Sequence, residues 1–524
     1  MAKAIMLQGT SSNVGKSVLA TALCRIFLQD GQKVVPFKSQ NMALNSYVTR
    51  DGGEMGRAQV VQAEAAGLDP HVKMNPILLK PTGQASSQVI VLGRPVGNIS
   101  ARQYHLEYAT QAVDTIQACL DEFHEQYDVI VIEGAGSPAE VNLKARDIAN
   151  MRVAKMADAP VLLVADIDRG GALASVVGTL ALLDPDEQER IKGIVINKFR
   201  GDISLLQPAI DFLEEYTKKP VVGVVPYFKG VHIQEEDSVA LEKPITEVPT
   251  GELLDIAVIR LPRISNFTDF DALSAEGAAQ VRYVEAPGRL GRPDMVIIPG
   301  TKNTIEDMLW LQKTGLTEEI RAVAEKGILV WGVCGGYQIL GKEIQDPQGV
   351  ESSVPVVAGL GLLDMVTTME AEKVTQLASA TICGHGPYLG PLQGLSVQGY
   401  EIHMGQSVAS SEAKPFCRIE RRGEELVDVI DGIVDADGLV IGSYLHGIFD
   451  NDSLRHHLLN TLRRKKGLEP INFASAASVR ERKEQDYNRL ADIVRQSLKM
   501  DLLYDIVGIE GPKNSPESET VPAP

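Results

Sequence analysis

Two short segments concentrate residues whose types and spacing can do chemistry. The first is Gly9-Thr10-Ser11-Ser12-Asn13-Val14-Gly15-Lys16-Ser17. Between a strand and a helix, such a run turns its backbone N–H groups toward phosphate oxygens, and the helix dipole adds positive potential. Gly9, Thr10, Asn13 and Gly15 would line the loop, Lys16 would neutralise β/γ-phosphates, and the Ser17 hydroxyl would ligate Mg²⁺. Phosphoryl chemistry also needs a carboxylate facing the metal. Glu133 ends the apolar run Asp128–Ile132 and precedes Gly134-Ala135-Gly136-Ser137, where small residues let backbone approach a γ-phosphate. Asn197-Lys198, at the end of another run, either meets the nucleotide base or caps the structure. Asp166 and Asp168 are strand-end acids without an assigned role.

The second segment is Gly332-Val333-Cys334-Gly335-Gly336, entered from the apolar run Ile328–Val333 and followed by a helical pattern. Gly-x-Cys-x-Gly at a strand-to-helix turn is the cysteine form of the nucleophile elbow. The following helix N-terminus favours the thiolate. The Gly335 N–H is placed to stabilise an oxyanion, with a second donor available from the loop at Gly300, and Gln338 lies one turn into the helix. The thiolate needs a base. His446, just after the run Leu439–Tyr444, emerges at the same sheet edge; His403 is its rival and His385 a weaker one.

Alternating elements must hold these residues. Strands are expected at Ala4–Gln8, Lys33–Phe37, Gln88–Leu92, Asp128–Ile132, Val161–Ala165, Gly193–Ile196 and Val221–Val224, with helices at Gly15–Gln29, Gln103–Glu125 and Leu205–Thr217. Consecutive apolar positions indicate parallel strands covered on both faces, so residues 1–228 read as a doubly wound α/β domain. Residues 229–253, with Pro244 and Pro249 and no period, read as a linker. A second α/β series at Ile256–Arg260, Met295–Pro299, Ile328–Val333 and Leu439–Tyr444 makes residues 254–500 another domain, closed by a charged helix over Ala474–Lys499. Residues 501–524 read as a tail, its Pro/Ser/Glu-rich end Gly511–Pro524 disordered.

Composition narrows the partners. The chain has 524 residues, 51 Lys plus Arg against 69 Asp plus Glu, and a formal charge of −18, which argues against nucleic acid or an anionic membrane as main partner. Five scattered cysteines without a Cys-x-x-Cys pair suit neither a disulfide framework nor a zinc site, and point to a reducing cytoplasm. No stretch reaches the roughly 18 apolar residues of a membrane span. Oligomeric state is not legible in the sequence.

The phosphate loop has one residue more between its glycines than the common motif, and so resembles the dethiobiotin-synthetase-like branch of phosphate-loop proteins. Longer segments are more specific: Phe37-Lys38-Ser39-Gln40-Asn41-Met42-Ala43-Leu44-Asn45-Ser46, Met74-Asn75-Pro76-Ile77-Leu78-Leu79-Lys80-Pro81, Val195-Ile196-Asn197-Lys198-Phe199-Arg200-Gly201-Asp202 and Tyr400-Glu401-Ile402-His403-Met404-Gly405. With these, the chain from Lys3 to about Leu498 resembles the cobyric acid synthases, glutamine-dependent amidotransferases of cobalamin biosynthesis. The resemblance implies an N-terminal ATP-dependent amidoligase domain and a C-terminal class I glutamine-amidotransferase-like α/β domain, with Cys334 as nucleophile and His446 as its partner. It implies ATP, Mg²⁺, glutamine and a corrinoid as ligands, the cobalt belonging to the substrate. Asn41, Asn45 and Arg200 are candidates for holding the corrin. The class usually carries Pro-Glu after this histidine, the glutamate completing a triad. Here Gly447-Ile448 follows, leaving open what orients His446. The a,c-diamide synthases share the two-domain plan but carry another signature after the second strand. A partitioning-type ATPase switch is the alternative from a different class, and Thr10 stands where an early loop lysine is usual there.

Overall fold

The computed structural model describes residues 1–82, 86–100, 109–234 and 245–512. Two parallel-stranded α/β units follow one another along the chain. The first is a six-stranded sheet in the order Val221–Pro226, Ile191–Phe199, Val161–Asp166, Lys3–Gly9, Val129–Glu133, Val34–Phe37, parallel throughout. Its strands are buried almost end to end, as expected with helices on both faces. The first strand lies between two strands that come much later in the chain. The crevice at its carboxyl end is therefore a topological switch point, where such sheets bind ligands.

One expected strand lies elsewhere. The run at Gln88–Leu92 belongs to strand Ser86–Val91 of a separate four-stranded sheet, antiparallel to both Ile77–Pro81 and Arg94–Ser100. Leu92 and Gly93 adopt φ of 44° and 76°, the left-handed pair of a tight hairpin turn, and this forces the chain straight back. A β-branched run shows that a strand forms but not which sheet takes it. The helix expected over Gln103–Glu125 is seen at Ala109–Gln126, its expected start falling outside the described residues.

The second unit runs Ala279–Val284, Leu254–Ile259, Met295–Ile298, Leu329–Val333 and Val440–Ser443 in parallel, then continues through the antiparallel strands Glu425–Val434, Lys414–Arg422 and Met365–Ile382. Strand Ser396–Ala409 pairs along Met365–Ile382 and carries Tyr400 and His403 toward the parallel half.

The chain end departs from expectation. Helix Val479–Ser497, opened by a Ser478/Glu481 capping box, buries its apolar face on helix Lys16–Gln29 of the first unit, while Arg482 near its start pairs with Glu276 of the second at 2.8 Å. Arg25 pairs with Glu484 at 2.6 Å, and a Cβ at Gly223 would stand 2.3 Å from the Ser497 carbonyl. Residues 501 onward do not begin as a tail: helix Met500–Val507 buries Leu503, Tyr504 and Val507 against the first unit's core. Each apolar side chain so buried contributes ~1.5–3 kcal/mol. The sequence shows the amphipathic pattern but not which core it completes. Of Gly511–Pro524, residues 513–524 lie outside the described residues. No described helix is long and apolar enough to cross a membrane.

Candidate active site

At the switch point the strand Lys3–Gly9 delivers the glycine-rich loop. Asn13 (φ 60°) and Gly15 (φ 100°) take left-handed backbone before helix Lys16–Gln29 starts. Gly15 is obligatory, since a Cβ there would lie 2.1 Å from the Asn197 carboxamide. Lys16 is buried, its ammonium donating to the carbonyls of Ser11 (3.1 Å) and Gly136 (3.0 Å), so it spans the mouth of the loop. The Ser17 hydroxyl donates to Glu133 at 2.8 Å. Glu133 also accepts from Lys38 at 2.9 Å and from Gln62 at 2.6 Å. Burial pushes its carboxyl up, but the Lys38 charge and the bonds from Lys38, Gln62 and Ser17 outweigh that and hold it below the usual carboxylate range. The adjacent oxygens of Ser17 and Glu133 are a hard donor pair that fits Mg²⁺, which takes few protein ligands and completes its shell with phosphate and water.

Asn197 and Lys198 brace this loop from Ile191–Phe199, the strand next but one to Lys3–Gly9. Asn197 donates to the Val14 carbonyl at 2.7 Å; Lys198 donates to the Asn13 carbonyl at 2.6 Å and pairs with Asp166 at 2.8 Å. Asp166 thus acquires a place, as anchor of the bracing lysine. Arg200 pairs with Asp168 at 2.8 Å and lies over the Tyr227 ring at 3.4 Å, half exposed beside the crevice. Asn41 is buried and donates to Gln59 at 2.8 Å. Asn45 is fully buried, and its side-chain oxygen accepts from the Phe267 N–H of the second unit at 3.1 Å. Asn45 therefore sits inside the contact between the units, whereas Asn41 is bonded within the first.

In the second unit Cys334 ends strand Leu329–Val333 with φ 53° and ψ −110°, a strained conformation for a residue with a side chain. Close packing demands the glycines around it: a Cβ at Gly336 would lie 1.9 Å from the Ile298 carbonyl, and one at Gly332 2.7 Å from that of Gly336. His446 follows strand Val440–Ser443, pinned by mutual backbone bonds with Tyr400 (2.9 and 3.1 Å) and stacked on that ring at 5.2 Å. A Cβ at Gly300 would come within 3.0 Å of His446 Cε1, so the loop closes on the imidazole only because this residue is glycine. Gln338 is committed internally: its amide donates to the Met404 carbonyl at 2.9 Å, and its oxygen accepts from Thr304 at 2.8 Å.

The group that orients His446 is Asp269. Its carboxylate meets His446 Nδ1 at 2.6 Å and accepts from the Gly447 N–H at 3.2 Å. Burial pulls the imidazole pKa down, but the charge of Asp269, then that of Cys334, and bonds to both raise it to about 10. A protonated imidazole beside a cysteine sulfur stabilises the thiolate. Asp269 lies in the turn Phe267–Phe270, far from His446 in sequence, where the adjoining Asn266 takes φ 51°. The rival histidines lie apart from this pairing. His403 stacks on Tyr444 at 3.7 Å and faces Glu401, while His385 bonds the Ala436 carbonyl.

A small cavity, about 40 Å³, opens at Cys334 and is lined by Thr301, Lys302, Gln338, Glu351 and His403, and by Lys80 of the first unit. The nucleophile's pocket thus has a wall supplied by the phosphate-loop unit.

Known families match the same division. A profile described as a CobQ/CobB/MinD/ParA nucleotide binding domain matches residues 5–239, and a CobB/CobQ-like glutamine amidotransferase domain matches 255–454. A cobyric acid synthase of Pelotomaculum thermopropionicum is 58% identical over 98% of this chain and 98% of its own. That of Moorella thermoacetica is 56% identical with the same coverage, and one from Dehalococcoides mccartyi 54% over 97% of this chain and 99% of its own. The chain belongs to the cobyric acid synthase family. It is accordingly a glutamine amidotransferase ligase of cobalamin biosynthesis whose first domain is of an ATP-binding type. In this cobyric acid synthase family member the phosphate loop lies in the nucleotide-binding domain and the cysteine pocket in the glutamine amidotransferase domain, with Lys80 of the first lining the pocket of the second.

Proposed function

We propose that this protein converts adenosylcobyrinic acid a,c-diamide to adenosylcobyric acid by amidating its b, d, e and g carboxylates, one ATP and one glutamine for each. A carboxylate cannot be aminated directly, because its leaving group would be oxide. Transfer of the ATP γ-phosphoryl to a carboxylate oxygen gives an acyl phosphate, whose leaving group is phosphate. Lys16 and the loop N–H groups take up charge on the transferring group. Ser17 and Glu133 would hold Mg²⁺, which would supply further charge neutralisation.

In the second domain Cys334 attacks the glutamine side-chain amide. The tetrahedral oxyanion is stabilised by the Gly335 N–H and the Gly300 loop. His446, held by Asp269, protonates the departing nitrogen, so that neutral ammonia leaves and a glutamyl thioester remains for water to hydrolyse. Ammonia attacks the acyl phosphate in the first domain and displaces phosphate. The reading rests most heavily on one observation: a buried Asp269–His446 pair set beside a cysteine at a strained strand end.

The test is mass spectrometry of products from the purified protein with the a,c-diamide, ATP and glutamine. Four successive replacements of OH by NH₂ are expected. No addition to the a,c-diamide, or additions to the a and c positions of cobyrinic acid instead, would overturn the proposed substrate.

A further inference from the structure

Between the two domains lies a buried charged cluster that none of the preceding chemistry uses. Glu54 has no exposed surface and is paired on one side with Lys80 of its own domain at 2.7 Å and on the other with Lys373 of the glutaminase domain. Lys80 and Lys373 both line the Cys334 cavity, so the cluster forms that cavity's wall toward the phosphate-loop domain. Lys373 also donates to Gln88 at 3.2 Å, and Lys80 to the Ser46 hydroxyl at 2.9 Å. Charged groups held this way are poor stability devices, because desolvation consumes most of their attraction.

Beyond the wall the interior stays polar. Ser46 is buried, and its N–H donates to the Asn266 side-chain oxygen at 3.1 Å. Asn41 lies on strand Gln40–Met42, paired in register beside Ile77–Pro81, the strand that carries Lys80. Asn41 bonds Gln59, and the same helix, Arg57–Ala65, sends Gln62 to Glu133. Buried hydrogen-bonding side chains thus stand both at the cysteine cavity and beside the carboxylate of the phosphate site, the strands of Lys80 and Asn41 being neighbours in one sheet.

We propose that Glu54, Lys80 and Lys373 form the gate by which ammonia leaves the cysteine pocket for the phosphate-loop domain. The inference rests on the two-site reaction proposed above. Two ammonium groups share the Glu54 carboxylate, and Lys302 and Glu351 line the same cavity, so three lysines face two carboxylates there and the cationic side is in excess. An ammonium ion is repelled there, whereas neutral ammonia can accept from a lysine N–H and donate to Glu54 as it passes. The gate therefore transmits the one form of the nitrogen that can attack an acyl phosphate. Burial, opposed by Glu54 and reinforced by Lys80 and Lys302, brings Lys373 down to about 8, so the wall keeps its excess positive charge below that pH and loses it as pH rises through about 8.

The experiment measures glutamate formed per amide formed in the full-length protein with ATP, the a,c-diamide and glutamine. The wild type is expected near parity. In Glu54→Gln the ratio is expected to rise about fivefold or more, with free ammonia in the medium, while amidation from added ammonium salt stays within about twofold. An unchanged ratio at an unchanged glutamine-dependent rate would overturn the gate. Should Glu54→Gln fail to fold, Lys373→Met leaves Glu54 its Lys80 partner and is measured in the same way: a raised ratio supports the gate, and an unchanged one overturns it. If the wild type itself forms neither glutamate nor amide, the two-site reading fails, and that result is distinct from a tight ratio in the variant.

Discussion

In the proposed reaction the phosphate loop and the cysteine pocket both stabilise charge that develops on oxygen, and they are built in opposite ways. The loop is main chain first. Nine consecutive residues, Gly9 to Ser17, supply the cradle, and side chains such as Asn197 and Lys198 brace it from behind. The cysteine pocket is side chain first. Asp269, Cys334 and His446 come from three separate elements, and Gly300 matters for the side chain it lacks. A site of the first kind is contained in one stretch of sequence; a site of the second kind exists only after folding. The loop opens at the carboxyl end of an interior strand, whereas the cysteine pocket is lined in part by a residue of the other domain.

The largest expected effect separates the two sites completely. Cys334→Ala should lower glutamine-dependent amidation by ~10⁴-fold or more, as loss of a nucleophile does, and leave amidation from ammonium salt nearly intact. Steady-state rates with the two nitrogen donors check it. Lys16→Met should instead lower both by ~10²–10³-fold, the size of a lost charge-stabilising contact, while glutamine hydrolysis survives. If the cysteine variant lost ammonium-dependent activity as well, the division of labour between the domains would be wrong.

These contrasts explain what was legible in the sequence. Gly-Lys-Ser after a leading strand and Gly-x-Cys-x-Gly after a buried one are local, and each specifies its own backbone. His446 could be placed because it ends a strand of the same sheet. Asp269 could not: Asn266-Phe267-Thr268-Asp269-Phe270 has neither a period nor a spacing to His446, and only the left-handed turn at Asn266 brings the acid inward. Its one visible trace was the missing Pro-Glu after His446, which says that an acid is absent there but not where another stands. The sheet that receives Ser86–Val91 and the core that receives Met500–Val507 were hidden for the same reason, since amphipathic pattern names a face and not its partner.

Asp269→Asn tests the side-chain-built site more finely. Loss of the carboxylate should cost glutamine hydrolysis ~10²–10⁴-fold, because the imidazole loses both its orientation and its charge partner. The sign of the pH effect follows from the pair. His446 is raised from 6.5 to about 10 in the folded protein, so its contribution to stability is complete below pH 6.5 and is lost as pH rises through about 10. The variant should therefore be most destabilised at the low end of that window, the deficit narrowing toward pH 10. Its alkaline limb of kcat/KM for glutaminase should move to lower pH, since the imidazolium gives up its proton sooner. Paired pH–rate and thermal-unfolding profiles measure both; an unmoved limb would remove Asp269 from its role.

The smallest effect concerns the seam between the two kinds of site. Arg57, first residue of the helix that sends Gln62 to Glu133, donates to the Tyr400 hydroxyl at 2.8 Å, and Tyr400 stacks on His446. Its guanidinium also lies 5.0 Å from the Tyr47 ring centre, and its Nε is buried without a partner among the described residues. A phosphate-domain residue thus helps to fix the ring beneath the glutaminase imidazole. Arg57→Lys keeps the charge but loses the planar fork. It should lower glutaminase kcat by ~10-fold with little change in KM for glutamine, since positioning rather than substrate contact is lost. A purely structural arginine would instead lower the unfolding midpoint and both nitrogen-donor activities together. Measured side by side, the kcat–KM split and the ammonium-dependent rate decide whether the main-chain site and the side-chain site are joined through this residue or only packed against each other.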